Sequence, residues 1–222
     1  MEFKALIFDF DGVLLESEFE GNRHMAELLT DLGHPTSIED ALTHFIGLSG
    51  KDFIAAIEAR IGCPVPDEFH RRRAEEDERV LNEGLAAVSG AVEFVRSLPA
   101  NTPKAVASSS SLHWIRTHLD HLGIEDAFCD HLYSAREHVS RGKPAPDIYL
   151  YAAEQLGVDI KDCVIIEDSE VGAKGALASG AMVIGLVAGS HCLVGHDQRL
   201  KSLGVRHVAH SFDDVRTLLD LR

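Results

Sequence analysis

Short apolar runs alternate with helix-forming segments over most of this chain of 222 residues. Such runs are typical of strands in a parallel sheet, because helices cover these strands on both faces. The alternation therefore predicts an α/β fold with a doubly wound, Rossmann-like parallel sheet. Its strands are predicted within the segments KALIFDF, KAVASSS, FCDHLYS, CVIIEDS and AMVIGLV, with a short additional strand at RHVAH.

One long stretch near the N-terminus breaks this alternation, because it contains helical patterns only. Within it, the segment GKDFIAAIEARIG places its apolar residues on one face with the period of an α-helix. An all-helical stretch between the first and second strands indicates an inserted domain. We therefore predict a core formed by residues 1–16 and 88–222 and a helical cap formed by residues 17–87.

The composition argues against several classes of function. The formal net charge is −15, whereas a nucleic-acid-binding surface needs clustered lysine and arginine. No apolar stretch approaches the roughly 20 residues of a membrane span, and the N-terminus lacks the pattern of a cleavable signal. The four cysteines form no CxxC pair, which argues against a zinc site. We expect a cytoplasmic monomer that binds neither nucleic acid nor membranes.

Polar residues follow three of the predicted strands, and Lys143 lies in the segment between the third and fourth strands. Because the carboxyl ends of parallel strands meet at one edge of a sheet, we expect these side chains to converge there. The residues concerned are Asp9, Asp11, Ser108, Ser109, Lys143, Glu167 and Asp168.

The four acidic residues of this set predict a metal site. Carboxylates are hard oxygen ligands, which suit Mg²⁺. A cation would also relieve the repulsion between neighbouring acids. We therefore take Asp9, Asp11, Glu167 and Asp168 as candidate metal residues.

The remaining polar residues predict a phosphate site beside the metal. Ser108 and Ser109 precede a helix, whose N-terminus is a favourable seat for an anion. Lys143 adds a positive charge in a loop that contains two prolines. Carboxylates, Mg²⁺, a hydroxyl and a lysine together describe a site for phosphoryl transfer.

Two carboxylates are predicted to divide the chemistry. Asp9, which is nearer the strand, is the candidate nucleophile and would form an aspartyl phosphate. Asp11 would protonate the leaving oxygen and then activate water. Taken singly, each of these residues could instead be a solvated loop acid or a helix cap. Their shared position after strands favours the functional interpretation.

Four segments also resemble the motifs of the haloacid dehalogenase superfamily, in the subgroup with a helical cap after the first strand. They are DFDGVLLESE, VASSSS, GKPAPDIY and IIEDSEVGAKGALASG. The first motif departs from the usual pattern, because Glu16 stands where aspartate is commoner. This resemblance covers nearly the whole chain and implies the same roles for Asp9 and Asp11. It further implies Mg²⁺ held by Asp9, the backbone carbonyl of Asp11 and Asp168, with Glu167 as a neighbour or ligand.

The resemblance also implies where the substrate binds. Ser108 and Lys143 would contact the transferring phosphate. The segment FIGLSGKD resembles the substrate-facing loop of the cap, which makes Gly47, Ser49 and Lys51 candidates for substrate specificity. The expected function is that of a Mg²⁺-dependent phosphatase for a small phosphorylated metabolite, such as a sugar or sugar-alcohol phosphate.

Three alternatives follow from the same residues. Dehalogenases of the superfamily lack the second aspartate, and Asp11 is present here. The β-phosphoglucomutase branch carries a histidine in the first cap helix and a lysine after the motif-two serine, whereas this chain has Glu20, Gly21 and Ser111 there. These departures favour a phosphatase over a phosphomutase. A phospho-acceptor signalling domain uses similar residues, but it needs about half this length and no helical insert.

Overall fold

The structure is a computed structural model that describes residues 3–46, 48 and 50–221. The chain forms two compact units. The first comprises the segment up to Glu16 and the segment from Leu85 onward, and the second is Ser17–Gly84. Residues 85–87 thus lie in the first unit rather than with the helical insert, and the N–H of Glu16 donates to the carbonyl of Ala86 at 2.9 Å.

The first unit contains a six-stranded parallel sheet, which confirms the predicted fold class. The strands are β1 Ala5–Phe8, β2 Lys104–Ser108, β3 Leu132–Ser134, β4 Cys163–Glu167, β5 Met182–Leu186 and β6 His207–Ala209. They lie in the order β3-β2-β1-β4-β5-β6, with every neighbouring pair parallel. The strand order reverses between β1 and β4, and such a switch point opens a crevice beyond the carboxyl ends of the strands. A phospho-acceptor domain of receiver type has another strand order, so this alternative is wrong.

Helices connect the strands and form the whole of the second unit. In chain order they are α1 Ser17–Asp31, α2 Ile38–His44, α3 Gly50–Ile61, α4 Asp67–Glu83, α5 Ala91–Ser97, α6 Leu112–His121, α7 Ala135–His138, α8 Asp147–Gln155, α9 Glu170–Ser179, α10 His196–Ser202 and α11 Phe212–Leu218. Short 3₁₀ helices cover Glu125–Phe128 and Ile160–Asp162. Helix α10 follows a glycine- and histidine-rich segment whose composition is typical of a loop.

The sheet separates two apolar layers, because successive strand residues point to opposite faces. On one face, Leu6 and Phe8 of β1 pack with residues of α5, α6 and α11. On the other face, Ala5 and Ile7 pack with residues of α8, α9 and α10. Burial on both faces explains why the strands are continuous apolar runs in the sequence.

The second unit has a hydrophobic core of its own, to which all four helices contribute. Its buried residues are Met25, Ala26, Leu28, Leu29, Ala41, Phe45, Phe53, Ile57 and Phe69. Charged residues lie on the outer surface, where Arg71 of α4 pairs with Glu68 and Glu75. Among the described residues of both units, no helix has the length and apolar character needed to cross a bilayer.

Candidate active site

The register of β1 and β4 brings two acidic residues level with each other. Phe8 pairs with Ile166, and the N–H of Asp9 donates to the carbonyl of Ile166 at 2.9 Å. Asp9 therefore lies next to Glu167, the last residue of β4. Both side chains are buried, so the acids predicted to follow these strands meet at the switch point of the sheet.

Lys143 links these two carboxylates. Its Nζ lies 2.7 Å from Oδ1 of Asp9 and 2.8 Å from Oε1 of Glu167. The lysine side chain is only 5% exposed, and its ammonium lies 5.0 Å from the centre of the Tyr149 ring. A buried ammonium shared by two carboxylates is a charge-assisted arrangement that sets the direction of both acids.

The Glu167 carboxylate accepts hydrogen bonds at both oxygens. Oε1 accepts from the hydroxyl of Tyr149 at 2.8 Å, in addition to Lys143. Oε2 accepts from the backbone N–H and the hydroxyl of Ser169, at 2.9 and 3.1 Å. The close approach of α9 requires a glycine, because a Cβ at Gly172 would lie 1.5 Å from Oε1.

One oxygen of the Asp168 carboxylate has a hydrogen-bond partner. Its Oδ2 accepts a hydrogen bond from Nε2 of His191 at 2.8 Å. Its Oδ1 is buried and has no hydrogen-bond partner among the described residues. Two glycines make room for the imidazole, since a Cβ at Gly12 or at Gly189 would lie 2.9 or 2.5 Å from its Cε1. Gly12 also has a φ of +79°, which side chains rarely adopt.

A second histidine fixes the backbone of Asp168. Nε2 of His196 donates to the Asp168 carbonyl at 2.6 Å, while Arg199 donates to Nδ1 at 3.1 Å. Burial lowers the pKa of His196, in keeping with a neutral ring. His191 and His196 follow β5 in the sequence, and both are buried.

The acids at this site are crowded. Burial and the nearby Glu167 carboxylate raise the pKa of Asp9 well above its ordinary value, and Lys143 offsets only part of this effect. The same two causes raise the pKa of Asp168. Burial also acts to raise the pKa of Glu167, but Lys143 and the donors at Ser169 and Tyr149 outweigh it and leave that pKa lowered. Burial acts to lower the pKa of Lys143, yet Asp9 and Glu167 raise it overall, so the ammonium remains charged.

Asp11 makes a different set of contacts, at the start of α6. Its Oδ2 accepts from the hydroxyls of Ser110 at 2.6 Å and Ser108 at 3.4 Å. Its Oδ1 accepts from the indole N–H of Trp114 at 3.0 Å. Ser108 in turn accepts from the backbone N–H of Ser110 at 2.9 Å, whereas Ser109 is exposed.

Comparison with known proteins identifies the family of this chain. The family model described as haloacid dehalogenase-like hydrolase matches residues 3–180 of the chain. The chain is a haloacid dehalogenase-like hydrolase. The resemblance drawn from the four sequence motifs is therefore confirmed.

Similar members of this hydrolase family carry phosphatase names. Hexitol phosphatase A of Escherichia coli K12 is 30% identical over 193 residues, which are 85% of this chain and 85% of that protein. Fructose-1-phosphate phosphatase YqaB of the same organism is 32% identical over 181 residues, 80% of this chain and 93% of that protein. A crystal structure of a HAD family hydrolase from Deinococcus radiodurans R1, with bound phosphate and sodium, is 31% identical, covers 98% of this chain and 95% of that one, and has a TM-score of 0.84.

Of the three specificity candidates of this hydrolase, the structure describes Lys51, in the first turn of α3. Gly47 and Ser49 are outside the described residues. Lys51 is exposed and lines an open pocket of about 530 Å³ on the second unit, together with Glu58, His70 and Arg73.

Several contacts of this hydrolase site were not predicted from the sequence. Tyr149 lies within a segment that resembles a family motif, but nothing in that pattern indicates that its hydroxyl reaches Glu167. Trp114 follows the serine cluster by about one helical turn and is the only tryptophan of the chain. This position could have suggested that its indole lies near the acids at the strand ends. The paired glycines around His191 are far apart in sequence, so no local pattern connects them.

Proposed function

We propose that this chain hydrolyses phosphate monoesters of small metabolites, with Mg²⁺ as cofactor. The observation that carries the proposal is the buried cluster of Asp9, Glu167 and Asp168, in which the Lys143 ammonium contacts Asp9 and Glu167. This arrangement combines a carboxylate beside a fixed positive charge with further acidic oxygens, as phosphoryl transfer requires.

The acidic residues fit a divalent cation. Oxygen atoms of Asp9, Glu167 and Asp168 lie within 4.8 Å of one another. Lys143 contacts Asp9 and Glu167, and Asp168 contacts His191, so three buried carboxylates share one ammonium among them and the site has an excess of negative charge. The unpartnered Oδ1 of Asp168 and the raised pKa values of Asp9 and Asp168 reflect the same excess. Mg²⁺ would neutralise it and, when bound, would stabilise negative charge on the phosphoryl group.

We assign the direct metal contacts to Asp9, Asp168 and the backbone carbonyl of Asp11. The Glu167 carboxylate has donors at both oxygens, namely Lys143, Tyr149 and Ser169. It is therefore better suited to positioning Lys143 than to binding the ion directly. The Asp11 carboxylate contacts Ser110 and Trp114, so we assign its backbone carbonyl rather than its carboxylate to the metal.

Asp9 is the proposed nucleophile. One of its oxygens attacks phosphorus, and the new bond to Asp9 forms as the bond to the ester oxygen breaks. Lys143 holds the carboxylate in place and balances its charge, so the attacking group needs no reorganisation. Water then attacks the aspartyl phosphate and releases inorganic phosphate and free Asp9.

Asp11 is the proposed acid and base. It gives a proton to the leaving ester oxygen in the first step and takes a proton from the attacking water in the second. Proton transfers of this kind are typically worth about 10²–10⁴-fold in rate. Ser108, at the end of β2, and Lys143 are the proposed contacts of the phosphate, with the exposed Ser109 beside them.

The substrate class is proposed from the relatives, two of which are named for hexitol and fructose 1-phosphate. Sugar and sugar-alcohol phosphates are therefore the first candidates. We propose that the helical unit selects among them through Gly47, Ser49 and Lys51, and that the enzyme acts as a cytoplasmic monomer. The phosphomutase alternative has less support, because this chain has Glu20, Gly21 and Ser111 where that branch carries a histidine and a lysine.

The test is an assay of the purified full chain on a panel of sugar and sugar-alcohol phosphates, with released phosphate as the readout. We expect turnover with Mg²⁺, none after treatment with EDTA, and none for Asp9→Asn. The matched control is Asp130→Asn, which changes an exposed acid and should retain wild-type activity. Transfer of the phosphate within the sugar, faster than its release, would contradict the proposal in favour of a mutase.

A further inference from the structure

The only tryptophan of the chain contacts the proposed acid and base directly. Trp114 lies in the first turn of α6, and its indole N–H donates to Oδ1 of Asp11 at 3.0 Å, across 103 positions of sequence. The roles proposed above for the metal and the phosphate give Trp114 itself no part in the reaction.

Two contacts fix Trp114, one at its backbone and one at its ring. The backbone N–H of Trp114 donates to the hydroxyl of Ser111, the N-cap of α6, at 3.2 Å. The Trp114 ring packs against the buried ring of His118, with centroids 4.1 Å apart and an angle of 44° between the planes. These contacts place the indole N–H at a defined point, so it can orient Asp11 rather than follow it.

The two oxygens of Asp11 face donors of different kinds. An indole N–H can only donate, so the oxygen facing Trp114 must act as an acceptor. A serine hydroxyl can donate or accept, and Ser110 lies 2.6 Å from Oδ2. A proton on Oδ2 is therefore compatible with the surroundings, because the Ser110 hydroxyl can rotate and accept it, whereas a proton on Oδ1 would have to point away from the Trp114 N–H.

We propose that Trp114 is a positioning residue that designates Oδ2 of Asp11 as the oxygen that carries the transferred proton. Oδ2 releases this proton to the leaving ester oxygen as the bond to phosphorus breaks, and it accepts a proton from the attacking water in the second step. Oδ1 accepts from Trp114 throughout. This inference rests on the proposed function, in which Asp11 is the acid and base.

The leaving group of the substrate gives a direct kinetic test. A p-nitrophenolate departs with little help from an acid, whereas the alkoxide of a sugar phosphate needs a proton. Trp114→Phe keeps an aromatic ring against His118 but removes the N–H. We expect kcat on the sugar phosphate to fall about tenfold, the typical value of one hydrogen bond, while kcat on p-nitrophenyl phosphate changes by less than about threefold. The control is His113→Ala, which changes an exposed neighbour in the same helix turn and should affect neither ester.

Fluorescence tests the contact without turnover. Emission excited at the red edge of the tryptophan band comes from Trp114 alone, because the chain has no other tryptophan. We expect Asp11→Ala to change the intensity and maximum of this emission in the absence of substrate, and Asp130→Ala to leave both unchanged. Identical emission from Asp11→Ala and wild type would overturn the contact.

The outcomes separate this inference from the function on which it rests. If the wild type hydrolyses no phosphate ester, the proposed function fails, and the role of Trp114 fails with it even where fluorescence shows the contact. If the wild type is active and Trp114→Phe slows both esters equally, or neither, only the positioning role is overturned.

Discussion

Nε2 of His191 lies 2.8 Å from Oδ2 of Asp168, and both side chains are buried. This contact occupies one oxygen of the carboxylate and leaves Oδ1 without a partner among the described residues. Groups that hydrogen-bond a metal ligand commonly fix its orientation. His191 is therefore expected to prepare Asp168 for a cation, although it would not itself contact the ion.

Replacement of His191 by asparagine should weaken binding of Mg²⁺. Loss of such an outer contact typically costs about 10- to 100-fold in metal affinity, and calorimetric titration of the full chain with Mg²⁺ measures it directly. His210→Asn, at an exposed histidine, is the matched control and should keep wild-type affinity. An unchanged dissociation constant in a folded His191→Asn variant would show that the contact has no part in metal binding.

Replacement of Lys143 by methionine should destabilise the fold. The change leaves Asp9 and Glu167 buried without their cation, and breaking a buried ion pair typically costs about 3–5 kcal/mol. Urea denaturation in the presence of EDTA measures the free energy of unfolding. Lys143→Met combined with Glu167→Gln should recover part of this loss while remaining inactive. Lys4→Met, which removes a largely exposed ion pair with Asp162, should unfold close to wild type.

Replacement of Gly172 by alanine should disrupt the packing of α9 against the Glu167 carboxylate. The added Cβ would lie 1.5 Å from Oε1, so helix α9 or the carboxylate must move, at a cost of about 1–3 kcal/mol. Gly21→Ala is the matched control in helix α1, since its Cβ would have no described atom within 4 Å. The free energy of unfolding of that control should rise by about 0.5–1 kcal/mol, because alanine has a higher helix propensity than glycine. Equal stability of Gly172→Ala and wild type in urea would contradict the packing of α9 against Glu167.

The buried thiol of Cys163 should make stability fall in alkaline solution. Burial, aided by the nearby acids Asp162 and Asp159, raises the pKa of this thiol to about 11. In the unfolded chain the thiol has the lower pKa and loses its proton first. The buried thiol therefore contributes its full stabilisation below about pH 8.5, and this stabilisation is lost as the pH rises toward 11. We expect the free energy of unfolding to fall by about 1–2 kcal/mol between about pH 8.5 and 10.5.

Two cysteine variants check that expectation by urea denaturation across this pH range. Cys163→Ala should show a flatter dependence of the free energy of unfolding on pH than the wild type. Cys63→Ala, which removes an exposed thiol, should keep the wild-type slope. A wild-type slope in Cys163→Ala would mean that another group causes the alkaline loss.

The sequence by itself determined the fold class and the set of acids at the carboxyl ends of the strands. These features depend on local patterns, namely apolar runs of strand length, helical periodicity and the residues that follow each strand. Once a parallel sheet is predicted, its geometry brings the ends of β1, β2 and β4 to the same edge. Asp9 and Glu167 could therefore be expected to lie close together without any coordinates.

Only the tertiary structure decided which partner each acid receives. Lys143 contacts Asp9 and Glu167, Trp114 contacts Asp11, and His191 enters a space left by Gly12 and Gly189. The Trp114–Asp11 contact joins residues 103 positions apart. Such pairs depend on side-chain direction and on the close approach of separate segments. The apolar period of a helix or strand predicts neither of these.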